Sequence, residues 1–190
     1  HTVKILTRRR ERHRQLEVFN GVVIVECDIH DAEKLTEQLI GEDAVINLVG
    51  ISNEMGAQTF RKVHVELPKK VAAACQVNGI KRLVHMSAIN AHPRGSSRYL
   101  QTKGRAEVYL HDELAGDLQV TSFRPSVIFG VEDGFMNRFA GLLRKIPAVF
   151  PLACAQARFA PVYVGDVADA FVNALADEST LARKVVCECA

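Results

Sequence analysis

Short runs rich in β-branched and other apolar residues alternate with helical stretches from one end of the chain to the other, and this restricts the fold more than any other feature. The runs are Val3 to Leu6, Val22-Val23-Ile24-Val25, Ala44 to Leu48, Arg82 to Met86 and Val120 to Arg124. They are apolar at consecutive positions, not at every second one, so both faces of each strand are buried. Strands of that kind, spaced by helices, form a parallel sheet covered on both sides. The fold class expected is therefore α/β, a doubly wound parallel sheet. Between the strands, Asp31 reads as the N-cap of a helix through Leu39. A long helix is expected from about Thr59 to Val77, stopped by Asn78-Gly79, with Pro68 kinking or interrupting it. Another runs from about Ser97 to Leu114. Later come an amphipathic helix from Phe135 to Arg144, a loop from Pro147 to Ala157, a strand from Phe159 to Val164 and a helix from Asp166 to Ala176.

With 190 residues, 48% of them hydrophobic, the chain can bury one substantial core, which excludes disorder and disulfide-dense miniproteins. No apolar run reaches the length of a membrane span. The first 14 residues carry +5, from Lys4, Arg8, Arg9, Arg10, Arg12 and Arg14 against Glu11, although the net charge of the chain is only +2. Basic character is thus local. The five cysteines are odd in number and form no CxxC pair. Cys187-x-Cys189 has no neighbouring ligands to complete a metal site, so none is expected, and the pattern suits a reducing compartment.

Ligands of doubly wound sheets bind at the carboxyl ends of the strands, here after Leu6, Glu26, Leu48, Met86 and Arg124. A dinucleotide-binding sheet opens on a strand, a glycine-rich turn and a helix that receives the pyrophosphate. Neither G-x-G-x-x-G nor G-x-x-G-x-x-G occurs, and the chain opens directly on the strand after His1-Thr2. The expectation is that the glycine-rich element precedes the chain. In such sheets that strand is central, and leaving it out would orphan two rows of buried backbone groups.

Tyr99-Leu100-Gln101-Thr102-Lys103 places a phenol and an ammonium one helical turn apart on one face. The charge favours the phenolate and is expected to lower the tyrosine pKa, fitting it for proton transfer with a carbonyl or an alcohol. The same lysine suits a ribose hydroxyl. An ordinary surface helix can show this spacing too. Here the helix follows, by one loop, a strand ending in Met86-Ser87.

Several segments come in an order that resembles the extended or atypical short-chain dehydrogenase/reductases, the NAD(P)-dependent epimerase/dehydratase-like proteins. They are Asp28-Ile29, Val49-Gly50, Tyr99 to Lys103, Arg124-Pro125-Ser126-Val127-Ile128-Phe129-Gly130 and Val164-Gly165-Asp166-Val167-Ala168. The resemblance covers essentially the whole chain. Around Ser97 to Leu100 and Phe129 to Asp133 it leans toward the branch that includes the nucleotide-binding accessory subunit of respiratory complex I. It implies a Rossmann-like NAD(P)-binding domain over residues 1–130. Residues 131–190 would contribute to the sheet and begin a small substrate-binding part.

The resemblance also implies roles. Asp28 would accept from the adenine amino group, with the Ile29 backbone beside the ring, although Asp28 also reads as a turn residue. Val49 and Gly50 would pass beneath the cofactor, and Pro125 and Val127 would line its nicotinamide end. Tyr99 would be the acid/base, Lys103 would orient the ribose and Ser87 would assist. Where the first strand runs into Thr7-Arg8-Arg9-Arg10, an acidic residue would favour NAD and arginine accommodates the 2′-phosphate of NADP. Thr7, Arg8 and Arg9 therefore point to NADP(H) over NAD(H). A solvated basic helix start is the plainer reading, and a nucleic-acid patch ranks last for want of interleaved aromatics.

Relatives often carry a second hydroxyl after Ser87, where this chain has Ala88, and Asn on the long helix near His64. Two functions are consistent with these residues. One is an NADP-preferring oxidoreductase, epimerase or dehydratase acting on a small carbonyl or alcohol, expected in the cytoplasm. The other is a non-catalytic NADPH-holding subunit of a larger complex, on the mitochondrial matrix side if of the complex I type. Neither reading calls for a membrane span.

Overall fold

The computed structural model describes residues 2–134, 136–145 and 160–187. Phe135, the Pro147–Ala157 loop, Phe159, Cys154 and Cys189 lie outside the described residues. The strands are β1 (Val3–Thr7), β2 (Val22–Glu26), β3 (Ala44–Asn47), β4 (Arg82–Met86), β5 (Gln119–Pro125), β6 (Ile128–Phe129), β7 (Val162–Tyr163) and β8 (Lys184–Cys187). The α-helices are α1 (Ala32–Gln38), α2 (Leu67–Val77), α3 (Arg98–Val108), α4 (Met136–Lys145) and α5 (Val164–Ala176). Every pairing between these strands is parallel. β3, β4, β5 and β8 form one sheet in that order, β1 and β2 a second, and β6 and β7 a third.

Neighbouring residues of one strand enter opposite layers, as consecutive apolar positions require. Leu83 of β4 packs with Leu35 of α1 and Leu39 just after it, Leu67 and Val71 of α2, and Val120 of β5. Val84, next in the chain, packs instead with Phe123 of β5 and with Val167 and Phe171 of α5. The central sheet is thus covered on both faces, a doubly wound α/β architecture. β1 pairs with β2 alone and β3 with β4 alone, so each keeps one edge without a strand partner among the described residues. Lys4 fastens the smaller sheet to α1, bonding to the Gln38 carbonyl at 3.0 Å and pairing with Glu42 at 2.5 Å.

Local chemistry sets the helix ends near the site. The Asp31 carboxylate accepts the backbone N–H groups of Glu33 and Lys34 at 3.1 and 3.2 Å, capping α1. Ser97 Oγ accepts the Leu100 N–H at 3.2 Å and caps α3. Pro68 does not interrupt its helix. Residues Arg61–Glu66 are π-helical, and the Leu67 N–H reaches back to the Lys62 carbonyl. The widened turn carries the chain into α2 with the proline in its first turn, where the missing N–H is least costly.

Candidate functional site

The segment leaving β3 is the floor of the site. Asn47 Oδ1 accepts the Val49 N–H at 3.1 Å, and His64 Nε2 accepts the Ile51 N–H at 3.1 Å. Between them a Cβ on Gly50 would stand 3.3 Å from Lys103 Nζ and 3.8 Å from His64 Nε2. A side chain here would press on the lysine amine, so glycine allows the closest approach.

Above it lies the inner face of α3, with Tyr99, Lys103 and Glu107 at four-residue spacing. Lys103 is 2% exposed and its Nζ donates to the Met86 carbonyl at 2.8 Å. Burial pushes its ammonium down to about 8, with the Glu107 charge opposing. Glu107, 1% exposed, receives the Arg124 guanidinium as a fork, Nε at 2.9 Å from Oε1 with Nη2 on Oε2. The Tyr99 ring stands edge-on to His64 at 5.2 Å and to Phe60 at 6.0 Å between centroids. The expected lowering of the Tyr99 pKa does not occur. Burial raises it by desolvating the phenolate, and the Lys103 ammonium is engaged by a backbone carbonyl.

Ser87 follows β4 on the same side. Its N–H donates to the Phe123 carbonyl at 2.7 Å, and Ile89 does the same to Pro125 at 2.9 Å. Those bonds hold the Ser87–Ile89 loop against Pro125. Val127 extends the same end, its carbonyl accepting the Val162 N–H at 3.0 Å. Ser87 Oγ and His85 Nε2 are both buried without a hydrogen-bond partner among the described residues. His85 Nδ1 accepts from Asn47 at 3.2 Å, and burial holds its ring well below the usual histidine range.

The carboxyl ends of β1 and β2 open into a cavity of about 650 Å³ lined in part by Arg8, Cys27, Asp28, His30, Lys34 and Lys62. Asp28 serves the turn as well, Oδ1 accepting the His30 N–H at 3.0 Å. The Ile29 side chain packs against the core beneath. Thr7 Oγ1 accepts the Arg9 N–H at 3.3 Å, while Arg9 itself is exposed and does not line the cavity. His30 is held below its ordinary pKa, first by burial and then by the Lys62 charge.

Two clusters therefore emerge. Gly50, Ser87, Tyr99, Lys103, Pro125 and Val127 belong to one, Arg8 and Asp28 to the other. Sequence reasoning gave His64 no role and passed over Lys62 and the Glu107–Arg124 pair. Glu107 had a visible signal, one further four-residue step beyond Lys103. A nicotinamide dinucleotide fits these residues: Gly50 leaves a cradle that a Cβ would fill, Ser87 Oγ has an unused hydrogen-bonding capacity, and the cavity offers cations beside an acidic acceptor.

A family model described as NAD(P)H-binding matches residues 1–134. The mouse "NADH dehydrogenase [ubiquinone] 1 alpha subcomplex subunit 9, mitochondrial" is 32% identical over 164 residues, 85% of this chain and 42% of the relative. The Neurospora crassa "NADH-ubiquinone oxidoreductase 40 kDa subunit, mitochondrial" is 28% identical over 182 residues, 94% of this chain and 47% of the relative. The chain thus spans less than half the length of these curated relatives. Among solved structures, UDP-glucuronic acid 4-epimerase from Bacillus cereus, in complex with UDP-glucuronic acid and NAD, superposes with a TM-score of 0.75 at 16% identity, over 94% of this chain and 63% of that one. A dTDP-glucose 4,6-dehydratase double mutant from Streptomyces venezuelae, with NAD and DAU bound, gives 0.72 at 18% identity, over 97% and 65%. At such identities the likeness is one of fold.

Proposed function

The chain belongs to the NAD(P)H-binding family, and from that premise we propose that it holds a nicotinamide dinucleotide across the carboxyl ends of its strands, NADP(H) in preference to NAD(H). The observation that carries this reading is the meeting of Gly50 and Lys103, one helical turn from Tyr99, together with the Arg8–Asp28 cavity. Asp28 and the Ile29 backbone take the adenine. Arg8, with Lys34 and Lys62 on the same cavity wall, takes the 2′-phosphate. Thr7 and Arg9 shape the turn that presents Arg8. Val49 and Gly50 pass beneath the dinucleotide, and Pro125 and Val127 line its nicotinamide end. Residues 1–130 form this binding part, and residues 131–190 begin the substrate side. The edges of β1 and β3 that have no strand partner among the described residues would accept one further parallel strand, joining the two sheets.

Lys103 has three donors, so it can keep the Met86 carbonyl and still bond a ribose hydroxyl. When bound, the nicotinamide gives or accepts a hydride. Tyr99, kept protonated at neutral pH by burial, donates its proton to the oxygen of a small carbonyl substrate or takes it back from the alcohol. Ser87 Oγ supplies a second hydrogen bond to that oxygen.

A second reading is a non-catalytic NADPH-holding subunit of a larger complex, on the matrix side of mitochondria. Ala88 in place of a second hydroxyl favours it, as do the names of the relatives, which are subunits of NADH dehydrogenase. One experiment separates the two. In titrations, NADPH should bind more tightly than NADH, and Arg8→Ala should narrow the gap by roughly ten- to a hundredfold, the worth of a charge-assisted contact. Tyr99→Phe should leave affinity unchanged and cut carbonyl turnover by about 10²–10⁴-fold. Equal affinities refute the cofactor preference. The absence of turnover in the unaltered protein favours the second reading.

A further inference from the structure

His64 has no place in the chemistry above, yet it touches the segment after β3, α3 and two aromatic rings of the site. It is 1% exposed and sits in the π-helical turn Arg61–Glu66. π turns inside helices are frequent at functional sites. Its two ring nitrogens reach two different elements. Nε2 accepts the Ile51 N–H at 3.1 Å, and Nδ1 lies 3.1 Å from Thr102 Oγ1.

These bonds fix the tautomer. A backbone N–H can only donate, so Nε2 carries no proton and the neutral ring is protonated at Nδ1. Nδ1 therefore donates to Thr102 Oγ1. The hydroxyl in turn has its own proton for the Arg98 or Tyr99 carbonyl, each at 2.9 Å. The ring stacks on Phe60 at 5.3 Å and meets the Tyr99 ring edge-on at 5.2 Å. It therefore joins the segment beneath the dinucleotide to the turn of α3 that carries Tyr99 and Lys103.

We propose that His64 is a positioning residue, locking the Val49–Ile51 backbone and the Tyr99–Lys103 turn into one arrangement through its Nδ1–H tautomer. This rests on the nucleotide-binding reading of the site. Protonation of Nε2 would abolish its acceptor role. The charged group that faces the ring is Lys103 of α3. Burial first, and that charge second, hold the imidazole down to about 4, so the lock is closed at neutral pH.

The full chain is tested unaltered and in two variants. His64→Phe keeps an aromatic ring against Phe60 and Tyr99 but has neither acceptor nor donor. His64→Gln offers both on a flexible arm. His64→Phe should weaken NADPH and NADH equally, by about tenfold, the value of one lost hydrogen bond. His64→Gln should recover most of that loss. Binding by the unaltered chain should decline as pH falls toward 4, and His64→Gln should lack the part of that decline due to residue 64. Imidazole ¹⁵N shifts read the tautomer without any nucleotide. Protonation at Nε2, or a folded His64→Phe variant with unchanged affinity, overturns the proposal. An Nδ1–H ring in a chain with no affinity for either nucleotide upholds the lock and refutes the reading of the site.

Discussion

Acidification from pH 7 to pH 5 should destabilise this protein well above the range in which carboxylates titrate. His64 has an ordinary pKa of 6.5 and is held down to about 4 in the folded chain. Below pH 6.5 the unfolded chain therefore takes up a proton that the folded chain refuses. Stability is lost as pH falls through that value, and the loss levels off near pH 4. Integrating the difference in bound protons gives about 2 kcal/mol between pH 7 and pH 5 from this one ring. His85 and His111 are also held low by burial and add losses of the same sign. Asp31 and Asp177, held low by hydrogen bonds, add losses only as pH falls below about 4, beneath the experiment. Lys103 acts in a window from about 8 to 10.5, above the experiment. Against a typical net stability of about 5–15 kcal/mol, such a loss is easily measured. Urea unfolding at pH 7, 6 and 5 should show a falling midpoint, and His64→Gln should flatten the trend by about 2 kcal/mol. A midpoint that does not move between pH 7 and pH 5 would show that the rings are accessible to protons, contrary to their burial.

Gly104 of α3 would place a Cβ on the backbone N, Cα and C of His92. Gly104→Ala should therefore destabilise by about 1–3 kcal/mol in thermal or urea unfolding, although an unconstrained helix would gain about 1 kcal/mol from the same change. Glu107→Gln removes the charge and one of the two acceptor oxygens facing the partly buried Arg124 guanidinium and should cost about 3 kcal/mol. It should also lower the Lys103 pKa further, readable in an NMR titration of its side chain. A urea midpoint equal to that of the unaltered chain would count against the pair.

The features legible in the sequence were mostly local. Asp31 and Ser97 stand immediately before helical periodicity, and each caps the helix through its own side chain. The consecutive apolar runs of β4 and β5 implied two buried faces, and Leu83 and Val84 enter separate cores. Pro68 illustrates where local rules stop. Its clash with a regular helix is real, but six π-helical residues absorb it, a solution stabilised by contacts with α3 that no single-sequence pattern displays. The Tyr99–Lys103 pair was legible as spacing and misread as electrostatics. Whether an ammonium lowers a phenol's pKa depends on burial and on what else the ammonium bonds, here the Met86 carbonyl seventeen residues away in sequence. His64 stood out in the sequence only as a departure from the Asn of relatives, and its role was not legible, since its partners Ile51 and Thr102 come from separate elements.

The π turn has a geometric consequence. Each residue of an α-helix advances the chain by about 100°, so the wide turn acts as an angular offset between the residues before it and those after it. It lets His64 face α3 while Val71, Ala72 and Cys75 face the sheet core. Removing one residue between Arg61 and Glu66 would allow a regular α-helix at the cost of that offset. Either the ring or the three apolar side chains would then swing about a quarter-turn away from their partners. The length of this stretch is consequently as constrained as its composition.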